Sequence, residues 1–331
     1  MEDIMKKTFL LFILAICSVA LFAQNEDWIW ANQAMGTYSN YGNDIAVDAN
    51  GNSYVTGYFW GNATFGTTTL TSSGQYDIFV AKMDSSGNWL WAKKAGGTNY
   101  DDGYGIAVDA NGNSYVTGYF LGDADFGNTT LTSSGGSDIF VAKLDINGNW
   151  RWAKQARGTS YDKGYSIAVD ANGNSYVTGG FEESATFGTT TLTSSGNEDI
   201  FIAKLDINGN WLWAKKAGGT SYDYGCCIAV DDNGNSYVTG VFEGSATFGT
   251  TTLTSSGNED IFVAKMDSNG NWLWAKKAGG QSNDGGRSIT VDDNGNSYVT
   301  GYFEESTTFG ITTLTSSGDY EIFVAKIRRC K

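Results

Sequence analysis

Residues 227–280 read CIAV, DDNGN, SYVTGVF, EGSATFGTTTLTSSGNE, DIFVAKM, DSNGN and WLWAKKAGG when broken at their turn signals. Four short runs rich in Val, Ile, Tyr, Phe and Trp are separated by clusters of Asp, Asn, Gly and Ser, and none carries a helical period. The runs are strands, lettered A (IAV), B (SYVTG), C (DIFVAK) and D (WLWAK). Asn233-Gly234, between A and B, predicts a tight type I′ hairpin, whose two central residues both need positive φ. Gly270-Asn271 predicts a second hairpin between C and D without fixing its turn type. The polar stretch Glu243 to Glu259 predicts a long loop between B and C. Runs such as Ile-Phe-Val-Ala are apolar on both strand faces, so each sheet must be covered on both sides.

The passage is one of five copies. Trp28, Trp89, Trp150, Trp211 and Trp272 recur every 61 residues, and DANGNSYVTG or DDNGNSYVTG, starting at Asp48, Asp109, Asp170, Asp231 and Asp292, keeps the same step. Repeats at 28, 89, 150, 211 and 272 thus fill residues 24–331 as a single domain. Radially stacked sheets of four antiparallel strands satisfy the two-sided burial, which predicts an all-β, five-bladed β-propeller. The first repeat opens on a lone D strand, Trp28 to Gln33, and the last supplies A, B and C alone. Closure follows if the first D strand completes the last sheet and pairs its open edge. The competing architectures are an open solenoid and a larger ring finished by a second copy.

Asp-Xaa-Gly before strand A (Asp101 to Gly103, Asp162 to Gly164, Asp223 to Gly225), followed by IAVDANGNSYVTG and DIFVAKLD-Xaa-NGNW, resembles the bacterial β-propeller repeat family known as SBBP. The resemblance covers nearly all of residues 24–331. It implies a propeller fold in a secreted or surface protein, and no specific activity.

Composition narrows the function. The 331 residues are 41% hydrophobic and 14% aromatic and contain no proline, which excludes disordered and collagen-like chains. With no histidine, Ser-His-Asp and Cys-His catalysis and imidazole metal sites are excluded. A net charge of −15 repels nucleic acid and anionic lipid and favours a protein or neutral glycan partner. Lys6 and Lys7, the apolar run Phe9 to Phe22 and Ala23 read as a secretory signal peptide over residues 1–23, too short an apolar run to span a membrane. The mature protein is then extracellular or at the cell surface, and a monomer is favoured. Of its cysteines, Cys226, Cys227 and Cys330, none is expected to bridge Cys330 to the other two, because strand polarity places them at opposite ends of a blade.

In a meander, the A–B and C–D turns share one end of each blade, and the B–C and D–A loops share the other. The copies are nearly identical at the turn end and vary at the loop end, which makes the loop end the candidate ligand face. Its candidate residues are Trp60, Glu182, Glu243 and Glu304 after strand B, Tyr100, Tyr161 and Tyr222 before strand A, and Asn40, Asp101, Asp162, Asp223 and Asp284 beside them. The aspartates are expected as a ring near the central opening. Such a ring has the oxygen chemistry for a hard cation such as calcium, but backbone capping is the commoner use of an Asp so placed, so no cofactor and no metal are expected. The D-x-N-G-N segments lack the sixth-position Gly and closing Glu of a calcium loop and read as turn chemistry. Trp89 with Trp91, and their copies, read as filling between blades. Near-identical copies give near-equal carboxylate environments, whereas acid–base catalysis needs them to differ. The expectation is a non-enzymatic binding module, with a lectin-like carbohydrate binder and then a carboxylate glycosidase as alternatives.

Overall fold

The computed structural model describes residues 28–328, and the segment expected to be a signal peptide, Cys17 and Cys330 lie outside them. The chain divides into Met1–Gln33 and Ala34–Lys331, and every described strand belongs to the second unit. Strands A to D pair in sequence order and antiparallel in four blades, for example Asp223–Val230, Ser236–Phe248, Thr251–Met266 and Trp272–Ala278 in blade four. In blades one to four strand C is buried along its whole apolar half, as in Asp138–Leu144, so those strands are covered on both faces. Successive A strands lie side by side from blade one to blade five. Each interior core spans two blades: Tyr54, Ile78 and Val80 of the first meet Ile106, Phe120 and Phe140 of the second.

Both hairpins use one turn, and it is not type I′. Asp231 Oδ1 accepts from the backbone N–H of Asn233 (3.0 Å) and Asn235 (2.9 Å), while Gly234 N–H donates to the Asp231 carbonyl (2.8 Å). Only the glycine, at φ +74°, takes positive φ. The Asp side chain thus folds the preceding residues into a type I turn, leaving one left-handed position for glycine. The C–D turns repeat this through Asp84, Asp145, Asp206 and Asp267. Beneath the A–B turn of blade three the Tyr176 hydroxyl is shared by Asp170 (3.2 Å) and the Gly234 carbonyl of the next blade (3.1 Å), with Lys204 over the ring. Trp213 Nε1 donates to the Ser268 carbonyl (3.2 Å), so this tryptophan, like Trp91 and Trp152, joins neighbouring blades as expected.

The expected B–C loop is an extension of the two strands in blades one, three, four and five, and in blade two a separate pair, Asp123–Asp125 with Thr130–Thr132. Strand B runs Ser175–Phe187 and strand C Thr190–Leu205, with a bulge between Glu182 and Ser184. Ala185, Phe187 and Leu192 point inward and the threonines outward, a period of two that builds a β-arm. Phe187 meets Trp211 edge-on (5.2 Å). The arm also pairs with strand D of the preceding blade, Ala156–Gly158 against Ala185–Phe187, which ties blades together by backbone bonds. The same junction recurs at Gly96–Asp125, Gly218–Thr247 and Gly279–Thr308, and Met35–Gly36 makes it with Ala63–Thr64.

Blade five has three strands, Gly285–Val291, Ser297–Phe309 and Thr312–Ile327, and residues 28–34 form no strand. No fourth strand is seen in that sheet, and no sheet closes the array, among the described residues. Ile322 and Val324 are 81% and 76% exposed where Ile78 and Val80 are fully buried.

Candidate functional site

The residues expected at the loop end come together there, in two different roles. Tyr100, Tyr161 and Tyr222 stand exposed on the D–A loops. Asp101, Asp162, Asp223 and Asp284 are fully buried and act as loop caps, the use expected of an Asp so placed. Asp101 accepts from the N–H of Gly97 (2.7 Å) and of Leu121 (3.1 Å), tying the D–A loop to the end of strand B. Asp223 does the same with Gly219 and Glu243, and Asp284 with Gly280 and Glu304. Burial pushes Asp101 and Asp223 up to about 7 and Asp162 up to about 8, and Asp162 Oδ2 has no hydrogen-bond partner. Asn40, at the same position in blade one, instead donates to the Tyr38 carbonyl (3.2 Å).

Trp60, Glu182, Glu243 and Glu304 occupy the last strand position before the bulge, not a loop. Around Trp60 the first blade gathers an aromatic surface. Tyr38 stacks on Trp60 (4.6 Å between centroids), Trp60 meets Tyr76 edge-on (6.2 Å), and Tyr76 touches both Tyr58 (4.6 Å) and Tyr100 (5.1 Å). Tyr38, Trp60 and Tyr100 are exposed by 61, 40 and 43%. In blades three to five the Trp60 position carries Glu182, Glu243 and Glu304, so the same end turns acidic. Ser160 Oγ donates to Glu182 (2.5 Å) and Thr159 Oγ1 to Glu183 (2.8 Å). Glu183 and Glu305 hold positive φ of 53° and 57° at a bulge position where the other copies have glycine. A side chain held in that region strains the backbone, where glycine does not.

A second feature escaped the sequence reading. In every strand A the residue after Asp-Xaa-Gly or its equivalent is a β-bulge: Asn43, Tyr104, Tyr165, Cys226 and Arg287 are skipped in the pairing with strand B. All five line one cavity of about 450 Å³, together with Tyr224. The signal was present, since positions 61 apart carry Asn, Tyr, Tyr, Cys and Arg between an invariant glycine and a nearby Ile. Tyr104 and Tyr165 are 5.5 Å apart and Tyr165 and Tyr224 6.0 Å. Arg287 lies over the Tyr302 ring (5.1 Å) with Nη1 3.8 Å from Cys226 Sγ. Burial raises the three cavity phenols above their usual range and lifts the Cys226 thiol to about 12. Cys226 and Cys227 are free thiols. Among the described residues no group of three or more Cys, Asp or Glu is arranged to hold a metal ion, and no helix is long and apolar enough to cross a membrane.

Four-stranded antiparallel blades packed face to face define a β-propeller. Residues 29–62, 90–119, 151–179, 212–241 and 273–302 match the β-propeller repeat, SBBP, and the chain belongs to that family. It is 27% identical to the "Uncharacterized WD repeat-containing protein L264" of Acanthamoeba polyphaga mimivirus, over 79% of this chain and 24% of that protein. It is 28% identical to the "Regulatory protein FlaEY" of Caulobacter vibrioides, over 50% of this chain and 18% of that protein. The chain thus spans a quarter or less of these relatives. A crystal structure of a protein of unknown function from Bacteroides caccae aligns with a TM-score of 0.34 and 10% identity, over 71% of this chain and 81% of that one.

Proposed function

We propose that this protein is a secreted, non-enzymatic binding module that holds a protein partner on the loop end of its blades. The observation that carries the reading is the exposed aromatic surface of Tyr38, Trp60, Tyr76 and Tyr100, continued by glutamates on blades three to five. Exposed aromatics of this density on a rigid sheet are interface anchors, and the flanking acids select a basic partner. Relatives named as a WD repeat-containing protein and a regulatory protein support interaction over chemistry. Secretion is supported by the Lys6-Lys7 leader and apolar run, and N-terminal sequencing of exported protein should begin near Gln24. The test of function compares the full chain with a Trp60→Ala/Tyr100→Ala variant on arrays of surface proteins and of glycans. Protein ligands held by the first, lost by the second and weakened by salt are expected. Equal retention by both, or turnover of a glycoside, refutes the reading.

We infer further that five blades close into a monomeric ring, with Trp28–Gln33 as the fourth strand of blade five. Its sequence WIWANQ parallels WLWAKK at 89–94. Gly66 sits on the ring of Trp89 and Gly249 on that of Trp272, whereas Gly310 has open space beside a 240 Å³ apolar cavity at Phe309 and Phe323. Ile45 and Val47 on blade one, each 60% exposed, and Ile322 and Val324 on blade five have the same chemistry as the buried interior pairs. Full burial of a Val or Ile side chain is worth roughly 1.5–3 kcal/mol, so covering these four offsets much of the entropy lost in ordering the strand. Deleting residues 28–33 should lower the melting temperature or produce dimers; an unchanged monomer with unchanged melting would refute closure.

A further inference from the structure

The bulges set apart one residue per blade. A β-bulge re-aims the side chain that pairing skips, and here it does so five times toward one space. The backbone device is the same in every blade while the residue it presents is not, which is the pattern of a scaffold displaying specificity. Strand B supplies the room: a Cβ on Gly57, Gly118, Gly179, Gly240 or Gly301 would come within 1.9–2.1 Å of the carbonyl two residues before the bulge.

What the five residues offer is directional. Arg287 is exposed, braced on Tyr302, and makes no ion pair with any carboxylate among the described residues, although the chain carries 36 acids against 21 bases. A guanidinium held in that way is a fork for a planar anion. Tyr104, Tyr165 and Tyr224 line the same cavity as a row of neighbouring rings, and Asn43 joins them, its amide held by Asp102 Oδ1 (2.8 Å) and the Gly103 carbonyl (3.1 Å). Phenols that stay protonated donate as well as accept. A row of tyrosine rings suits a polyol ring with apolar C–H faces. About 450 Å³ is room for one or two such rings.

We propose that Asn43, Tyr104, Tyr165, Cys226 and Arg287 form a binding site for an acidic sugar, its carboxylate on Arg287 and its ring on the tyrosines. The site is independent of the loop-end surface, so either can fail alone. The full chain is titrated calorimetrically with glucuronate, with glucose as the uncharged ring and acetate as the carboxylate without a ring. Glucuronate should bind at least tenfold more tightly than either control. Arg287→Gln should abolish that preference and leave glucose unchanged, and Tyr165→Ala should weaken glucuronate and glucose together. Saturation-transfer NMR should show the ring protons of glucuronate against protein. Thermal melting of each variant checks that it is folded. No glucuronate binding at millimolar concentration, equal binding of glucose, or binding indifferent to Arg287→Gln overturns the proposal.

Discussion

Single residues decide where the backbone can bend. Gly118 faces the bulge of blade two, and a Cβ there would stand 1.9 Å from the Asp102 carbonyl and 2.9 Å from the Phe140 ring. Neither neighbour can yield cheaply, so Gly118→Ala is expected to cost about 2 kcal/mol by forced backbone shift, read as a lower denaturation midpoint. A wild-type midpoint would show that the bulge does not need the close approach. Glu305 is the opposite case. It sits at φ 57°, and its backbone N–H donates to Ser316 Oγ, a bond that glycine keeps. Glu305→Gly should therefore stabilise by about 1 kcal/mol, the usual cost of a side chain in the left-handed region. Glu183 should gain less from the same change, because its carboxylate accepts from Thr159. A loss of stability in Glu305→Gly would mean that the glutamate makes a compensating interaction.

At the scale of elements, the arm beyond each strand B separates a loop from a structural piece. Phe187 is buried against Phe201 (5.0 Å) and Trp211, so Phe187→Ala should cost about 3 kcal/mol or more; in a solvated loop the change would be nearly silent. A shift of less than about 0.5 kcal/mol in chemical denaturation would return the segment to a loop. That arm was only half legible. Its Thr and Ser content hid a period of two carried by Ala185, Phe187 and Leu192, whereas IFIA and SYVTG announce strands by composition alone. The repeat step and the strand order of each sheet were legible because hydrophobic runs and turn residues recur in register. The Asn-Gly cue found each A–B turn but not its type, since the carboxylate two residues before the Asn takes over the geometry. The capping role of the loop-end aspartates was legible in the sequence, but their complete burial was not, because burial is decided by neighbouring blades that no local pattern encodes. Bulges are invisible for a related reason: they exist only in the pairing, and only comparison of the copies betrays them.

For the molecule as a whole, two sets of carboxylates pull its pH dependence in opposite directions. Burial raises Asp101, Asp102 and Asp223 to about 7, Asp162 to about 8, Asp138 to about 6 and Glu198 to about 7, all well above their values in an unfolded chain. The native state therefore binds more protons than the unfolded state between about pH 4 and 8. The stability these groups contribute is complete below the unfolded value and is lost as pH rises through the folded one. The turn aspartates Asp48, Asp84, Asp145, Asp206, Asp231, Asp267 and Asp292 are held low by hydrogen bonds from Asn side chains and backbone N–H groups. Their contribution is present above the unfolded value near 4 and disappears as pH falls below it. Stability should consequently peak near pH 4–5, with the melting temperature higher at pH 5 than at pH 8. The net charge of −15 predicts the same slope through general repulsion, but that source is screened at 1 M salt, where the Debye length is about 3 Å. A slope that survives 1 M salt and shrinks in Asp162→Asn belongs to the buried caps; a melting temperature rising from pH 5 to 8 would show that the caps are ionised without penalty.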